Sequence, residues 1–270
     1  MVRNKQKVLI ILIVSTFSLS FLNKEGFGAT YATSIPILTY HDIGNQNNPF
    51  TVKPNEFEAH MKYLSSKGYT FLVPNDIDLY IRGKKKYPQK SIMITFDDGC
   101  KGVWEYGLPI MKKYRVRATV FIVYSFLERD QYLSFSNLDD IVESNIFFIG
   151  SHTYDLHQSF YYKEEKKTIP ATLKQIGESE QAYHARVLQD LQKSIMALEG
   201  IYPNMAVTTF SYPFGACNKG LEKLVQQAGF QYALSYNSNK RDLMSRNSNP
   251  LQIERYPILP GTAPKDLIIH

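Results

Sequence analysis

Ser91-Ile-Met-Ile-Thr-Phe-Asp-Asp-Gly99 sets the reading of the chain. Ile92, Met93, Ile94 and Phe96 form an apolar run of strand length, and such a run predicts a strand buried on both faces. It ends in two adjacent carboxylates and a glycine. Carboxylates are seldom buried unless they are paired or bind a metal. Two of them at the tip of a core strand repel each other and require a compensating charge. The alternative reading of these nine residues is an ordinary strand end followed by an Asp-Gly turn.

Working outward, the pattern repeats. Ile35 to Tyr40, Tyr69 to Val73, Arg117 to Val123, Ile146 to Gly150, Val207 to Tyr212, Phe230 to Ser235 and Gln252 to Ile258 read as strands. Between them lie helical stretches over 54–67, 74–81, 101–114, 138–144, 179–199 and 218–228, the fourth capped by Ser136 or Asn137. In the fifth, Ala182, Ala185, Leu188, Leu191, Ile195 and Leu198 make one apolar stripe. Alternation of strand and helix implies parallel strands with crossover helices. No glycine-rich phosphate fingerprint opens a helix, so a barrel, complete or not, fits better than a nucleotide-binding open sheet. Residues 158–178 lack periodicity and read as an insertion or long loop, in which Phe160, Tyr161 and Tyr162 offer an aromatic platform for sugars.

Composition narrows the function. The 270 residues are 44% hydrophobic and 21% charged, which suits one globular domain of α/β barrel size. Arg3, Lys5 and Lys7 precede an apolar run from Val8 to Leu22, with Gly26 and Gly28 placed for a cut after Gly28; this is the form of a secretory leader over residues 1–28. Its removal lowers the formal charge from +6 to +3. That is too mild a charge for a nucleic-acid partner, and it is compatible with association with an anionic cell surface. A monomer is expected. Cys100 and Cys217 could pair in an exported protein, but two cysteines make no disulfide framework.

In a parallel barrel the chemistry sits at the C-terminal ends of the strands. There the sequence delivers His41, then Asp97 and Asp98, then His152 with His157, then Tyr212-Pro-Phe-Gly215, then Arg255 and Tyr256. His60, His184 and His270 read as scattered surface histidines. His152 and His157 converge only if the backbone leaves the strand at His152 and turns. Two imidazoles and one carboxylate make three ligands with a position left for water, and they suit Zn²⁺ first, with Fe²⁺, Co²⁺ or Ni²⁺ open. A second carboxylate beside such a site can take a proton from the attacking water.

Thr95-Phe-Asp-Asp-Gly99, followed by His152-Thr and His157 and then Tyr212-Pro-Phe-Gly215, resembles the polysaccharide deacetylase family, carbohydrate esterase family four. The motifs run in the family's order over most of residues 35–260. The resemblance implies a distorted, incomplete (β/α)7 barrel in a single domain over 29–270. It implies a secreted, metal-dependent enzyme that removes N-acetyl groups from an amino-sugar polysaccharide. It makes Asp97 the general base, Asp98, His152 and His157 the metal ligands, and the Phe214 N–H an oxyanion donor. Two departures stand out. Ser211 occupies the place of a usual arginine, and Leu267-Ile-Ile-His270 only weakly echoes the usual acid motif. A branch of the family with rearranged motifs carries its catalytic histidine near the N-terminus. That branch contains the poly-β-1,6-N-acetylglucosamine deacetylases of biofilm systems, the staphylococcal adhesion system included. By this resemblance His41 is the general acid and Arg255 orients Asp97. The alternatives are deacetylation of chitin-like or peptidoglycan glycans, a non-catalytic glycan-binding adhesion protein, and a mononuclear iron oxygenase.

Overall fold

The computed structural model describes residues 30–236 and 243–268; the expected leader and His270 lie outside them. Seven parallel strands form a ring: β1 (Ile37–Tyr40), β2 (Ser91–Phe96), β3 (Ala118–Ile122), β4 (Phe147–Ser151), β5 (Thr209–Ser211), β6 (Tyr232–Tyr236) and β7 (Ile253–Pro257). They pair in chain order, and β7 returns to β1, so the barrel closes. Its distortion is visible in the pairing. β3 and β4 share five residue pairs, whereas β4 and β5 meet only at Phe210 and Ser151. Thr70–Leu72 is an extra strand beside the ring, paired to the first half of β2.

Six α-helices are described: α1 (Pro54–Ser66), α2 (Pro74–Ile81), α3 (Leu108–Tyr114), α4 (Phe135–Glu143), α5 (Glu180–Ile201) and α6 (Lys219–Ala228). The stretch expected as one helix over 101–114 begins instead with a π-helical turn, Val103–Gly107, in which the Leu108 N–H reaches back to the Val103 carbonyl. Pro109 brings no N–H to continue an α ladder there, which favours the wider turn. The cap of α4 is Ser134 rather than Ser136 or Asn137. Its hydroxyl accepts the Asn137 N–H at 3.1 Å, and the Asn137 side chain accepts the Ser134 N–H at 3.1 Å. This reciprocal pair satisfies a helix donor and starts the helix three residues earlier than expected. Residues 158–178 contain a hairpin, Ser159–Tyr162 with Lys167–Pro170. Most of its residues are exposed, so no buried alternation marked it in the sequence. Among the described residues no helix is long and apolar enough to cross a membrane.

Strand alternation divides the core in two. Val120, Ile122, Phe147, Ile149 and Phe210 belong to a cluster that packs outward with α5 residues such as Val187 and Leu191. Ile37, Met93, Phe121, Leu234 and Ile253 belong to a second cluster that fills the lumen. Counting by twos along each strand from these lumen residues reaches Thr39 and His41, Thr95 and Asp97, and Arg255. The lower barrel is therefore packed with apolar side chains, and the polar groups stack above it.

His60 is not a surface histidine. It is buried, with Nδ1 3.1 Å from the Tyr40 hydroxyl and Nε2 2.8 Å from the Thr262 carbonyl, and so ties α1 to both β1 and the C-terminal segment. His184 is exposed, 3.7 Å from Glu180.

Gly150 lets the lumen close. A Cβ there would lie 2.4 Å from the Phe121 ring. Gly150→Ala should therefore lower unfolding free energy by about 1–3 kcal/mol, the usual cost of overpacking. Denaturant unfolding of the single variant and of a Gly150→Ala, Phe121→Leu double variant checks this; the second change should recover most of the loss.

Candidate active site

Asp97 lies at the centre of the mouth and is almost fully buried, as is Arg255. The guanidinium grips the carboxylate with two parallel bonds, NH1 to Oδ1 at 2.9 Å and NH2 to Oδ2 at 2.8 Å. The same guanidinium donates to the Ser211 hydroxyl at 2.7 Å and the Thr95 hydroxyl at 3.0 Å. Ser211 passes a hydrogen bond on to Asp97 Oδ2 at 3.1 Å. Thr95 in turn donates to the Leu38 carbonyl at 2.8 Å. Burial alone pushes the Asp97 carboxyl up, but the Arg255 charge and hydrogen bonds, with help from His152 and His41, hold it below the usual carboxylate range. The side chain is thus an ionised acceptor in a dry setting. The departure at Ser211 has a physical meaning: the cation comes from β7 instead, and a small hydroxyl bridges it to Asp97.

Asp98 would follow the opposite face of the strand, but its backbone is left-handed, with φ 72°, and Gly99 repeats that value. This kink turns Asp98 toward the two histidines. His152 Nε2 lies 3.4 Å and His157 Nε2 3.1 Å from Asp98 Oδ1. The turn required after His152 is present: β4 stops at Ser151 and Thr153 has φ 87°. Three left-handed non-glycine residues, Asp98, Thr153 and Phe214, lie at the site, where such strain concentrates when function demands the geometry.

The loop between the histidines is held from α5. Asp190 accepts the Tyr154 N–H at 2.9 Å and the Asp155 N–H at 2.8 Å. Burial pushes the Asp190 carboxyl up to about 6, against the pull of those two N–H groups. His152 Nδ1 is 2.7 Å from the Ser211 carbonyl, so Nδ1 carries the proton and Nε2 presents its lone pair toward Asp98.

Ligand atoms of Asp98, His152 and His157 all lie within 4.8 Å of one another, and this is a possible metal site. The chemistry fits. Asp98 Oδ1 is buried and accepts no hydrogen bond of good geometry, although two imidazole nitrogens face it. Three potential electron-pair donors converging in this way are suited to a divalent cation.

His41 follows β1 directly and packs on the Phe50 ring at 5.0 Å between centroids. Burial lowers its pKa, and the nearby charges of Asp97 and Asp98 oppose that fall. Phe214 sits in the turn Pro213–Gly215 after β5; its ring is 46% exposed and stacks 4.8 Å from His157. His157 also meets Phe126 edge to face, at 5.6 Å between centroids. The sequence reading had missed three groups here: Phe50, Phe126 and Tyr236. Tyr236 is two residues beyond the lumen residue Leu234, so the same period-two count would have found it; burial raises its pKa, and the charge of Asp97 adds to this. A cavity of about 660 Å³ lies at the opposite end of the barrel among Asn75, Asn145, Phe148 and Met205, away from these groups. Cys100 and Cys217 are both free thiols.

The ion pair predicts a double-mutant result. Arg255→Met should cost about 3–5 kcal/mol near neutral pH, because it strands a buried carboxylate. Adding Asp97→Asn should recover much of that loss. Because the native Asp97 value lies below the ordinary 3.8, its stabilising contribution is complete above that pH and fades only as pH falls through the lower native value. Denaturant midpoints of the three variants from acid to neutral pH measure both effects.

Comparison with known proteins gives the family. Residues 84–233 match the family model described as polysaccharide deacetylase. Over 211 residues, 76% of this chain and 67% of the relative, the sequence is 28% identical to the poly-beta-1,6-N-acetyl-D-glucosamine N-deacetylase of Staphylococcus aureus (strain MSSA476). The fold superposes on IcaB from Ammonifex degensii with a TM-score of 0.73 at 21% identity, covering 84% of this chain and 93% of that one. A de-N-acetylase from Aggregatibacter actinomycetemcomitans gives 0.73 at 20% identity, covering 82% and 94%.

Proposed function

Because this chain belongs to the polysaccharide deacetylase family, and is thereby an amide hydrolase acting on a polysaccharide, we propose that it is a metal-dependent N-deacetylase of poly-β-1,6-N-acetyl-D-glucosamine. The observation that carries this reading is the division of two adjacent carboxylates between two settings. Asp97 is locked to Arg255, and Asp98 faces two imidazole nitrogens. The polymer follows from the name of the staphylococcal relative and from the placement of His41 near the N-terminus.

A divalent ion, Zn²⁺ in the first instance, would be held by Asp98, His152 and His157, and would supply Lewis-acid polarisation of the acetamide carbonyl and acidify the attacking water. Asp97 accepts the proton from that water; its ionised form is secured by Arg255. The Phe214 N–H donates to the developing oxyanion. His41, in its protonated form, gives a proton to the departing amine. Acetate and a free glucosamine unit result, and the polymer gains positive charge. The leader expected over residues 1–28 would export the domain of residues 29–270, and the cationic product would favour retention at an anionic cell surface. We take the working unit to be a monomer.

His41→Ala and Asp97→Asn should each lower acetate release from the β-1,6-linked polymer by about 10²–10⁴-fold, the range for loss of a positioned proton donor or acceptor. Full activity in either variant removes that residue's role. Chelation should abolish release and added Zn²⁺ restore it. Faster release from chitin or peptidoglycan oligomers than from the β-1,6-linked polymer would reassign the substrate.

A further inference from the structure

A cavity of about 320 Å³ opens beside the segment that carries His157. Leu156 and Gln158, the two neighbours of His157, line it, together with Phe160, Tyr162, Gln175 and Arg186. Phe160 is only three residues beyond His157, which limits the separation of their Cα atoms to about 11 Å. A volume above about 300 Å³ with apolar walls and a few polar groups is the ordinary form of a small-molecule site.

The hairpin alternates, and alternation gives its faces different tasks. Phe160 and Tyr162 share the face that lines the cavity; Tyr161, 62% exposed, projects from the other. Phe160 stays 46% exposed although a ring of that size could be buried. Apolar surface left exposed along the wall of a groove is a form that ligand-binding grooves take.

The cavity wall is built rigidly from a segment with little regular structure of its own. The Tyr162 hydroxyl donates to Gln175 Oε1 at 3.0 Å, and Gln175 Nε2 donates to the carbonyls of Pro170 at 2.9 Å and Leu173 at 2.8 Å. Arg186, from α5, forks onto Glu178 at 2.8 and 2.9 Å and reaches the Ala171 and Leu173 carbonyls. Glu178 also accepts the Gln175 N–H at 2.9 Å. With these polar groups engaged, the Gln158 side chain, which is exposed, remains at the rim as a donor and acceptor. An apolar ring fixed beside an exposed amide suits a pyranose, which offers a C–H face and equatorial hydroxyl or acetamide groups.

We propose that this cavity is a subsite for a sugar unit of the polymer lying beyond the one whose acetamide is cut. The inference rests on the deacetylase reading, since only a polymer threaded past His157 brings a second sugar within reach. Occupation would add affinity in the ground state and the transition state alike. It would therefore change KM and leave kcat alone.

The test compares wild type with Phe160→Ala and Gln158→Ala on β-1,6-linked N-acetylglucosamine oligomers from dimer to hexamer. Acetate release is measured on the Zn²⁺-loaded enzyme, and binding to the metal-free protein is measured by calorimetry. Phe160→Ala should raise KM about tenfold for the longer oligomers, a loss of about 1.4 kcal/mol, with kcat and the dimer's kcat/KM unchanged. Gln158→Ala should do the same to a smaller extent. Thermal unfolding should match wild type, because the replaced ring is half in solvent. Equal effects at every length, or none, overturn the subsite. Absence of acetate release from wild type would overturn the deacetylase reading instead; the binding titration then decides the subsite alone, with a length-dependent loss in Phe160→Ala supporting it and no loss refuting it.

Discussion

The ion pair between Arg255 and Asp97 is the constraint on which the mouth of the barrel depends. A carboxylate that is 2% exposed on a packed apolar lumen is tolerable only with a cation of matching shape against it. The guanidinium meets that need with two bonds and carries two more, to Ser211 and Thr95. Through them β2, β5 and β7 are held at a common height. The seam between β4 and β5 is the barrel's thinnest, and here the Ser211 carbonyl on β5 meets His152 at the end of β4 at 2.7 Å. The polar layer thus helps to close a ring that backbone pairing alone closes weakly.

With Asp97 neutralised by arginine, the two adjacent carboxylates no longer compete for one cation. Asp98 is turned off the strand by a left-handed backbone and faces two imidazole nitrogens. The sequence shows the need for a compensating charge without showing its source. The structure divides the two carboxylates: a fixed protein cation pairs with Asp97, and two imidazole nitrogens face Asp98. Distinct base and ligand roles, as proposed for Asp97 and Asp98, demand such a separation. Charge on Asp97 is then sustained by the fold to a pH below the usual carboxylate range.

The strand pattern made much of this legible. Apolar runs at regular spacing placed all seven ring strands within a few residues, and the carboxylates and histidines at their ends marked the mouth. Convergence of His152 and His157 was inferable from the need for a turn, and Thr153 supplies it. Other features were hidden for identifiable reasons. The π-helical turn before Pro109 answers to a missing N–H within a run whose apolar spacing still reads as helix. The hairpin at 159–170 lacks a buried face along most of its length and so shows no alternation. His60 looks like any helix histidine until the Thr262 carbonyl, some two hundred residues away, is seen to meet it. Phe50 reaches the site from a loop and Phe126 from a single 3-10 turn, both too short for any periodicity to indicate direction.

Aromatic rings gather around the histidines: the exposed Phe50 on His41, and the exposed Phe214 and half-buried Phe126 on His157. A rigid polar layer below and an apolar rim above suit a substrate that is bound by its sugar faces and cut at a polar amide.

The central claim, that the two carboxylates have separate cations, is tested most directly by calorimetric titration of Zn²⁺ into wild type, Asp97→Asn and Asp98→Asn. The account predicts that Asp98→Asn loses tight binding, while Asp97→Asn binds one ion with an affinity within about tenfold of wild type, a difference of about 1.4 kcal/mol. Equal loss in both variants, or loss in Asp97→Asn alone, would contradict it.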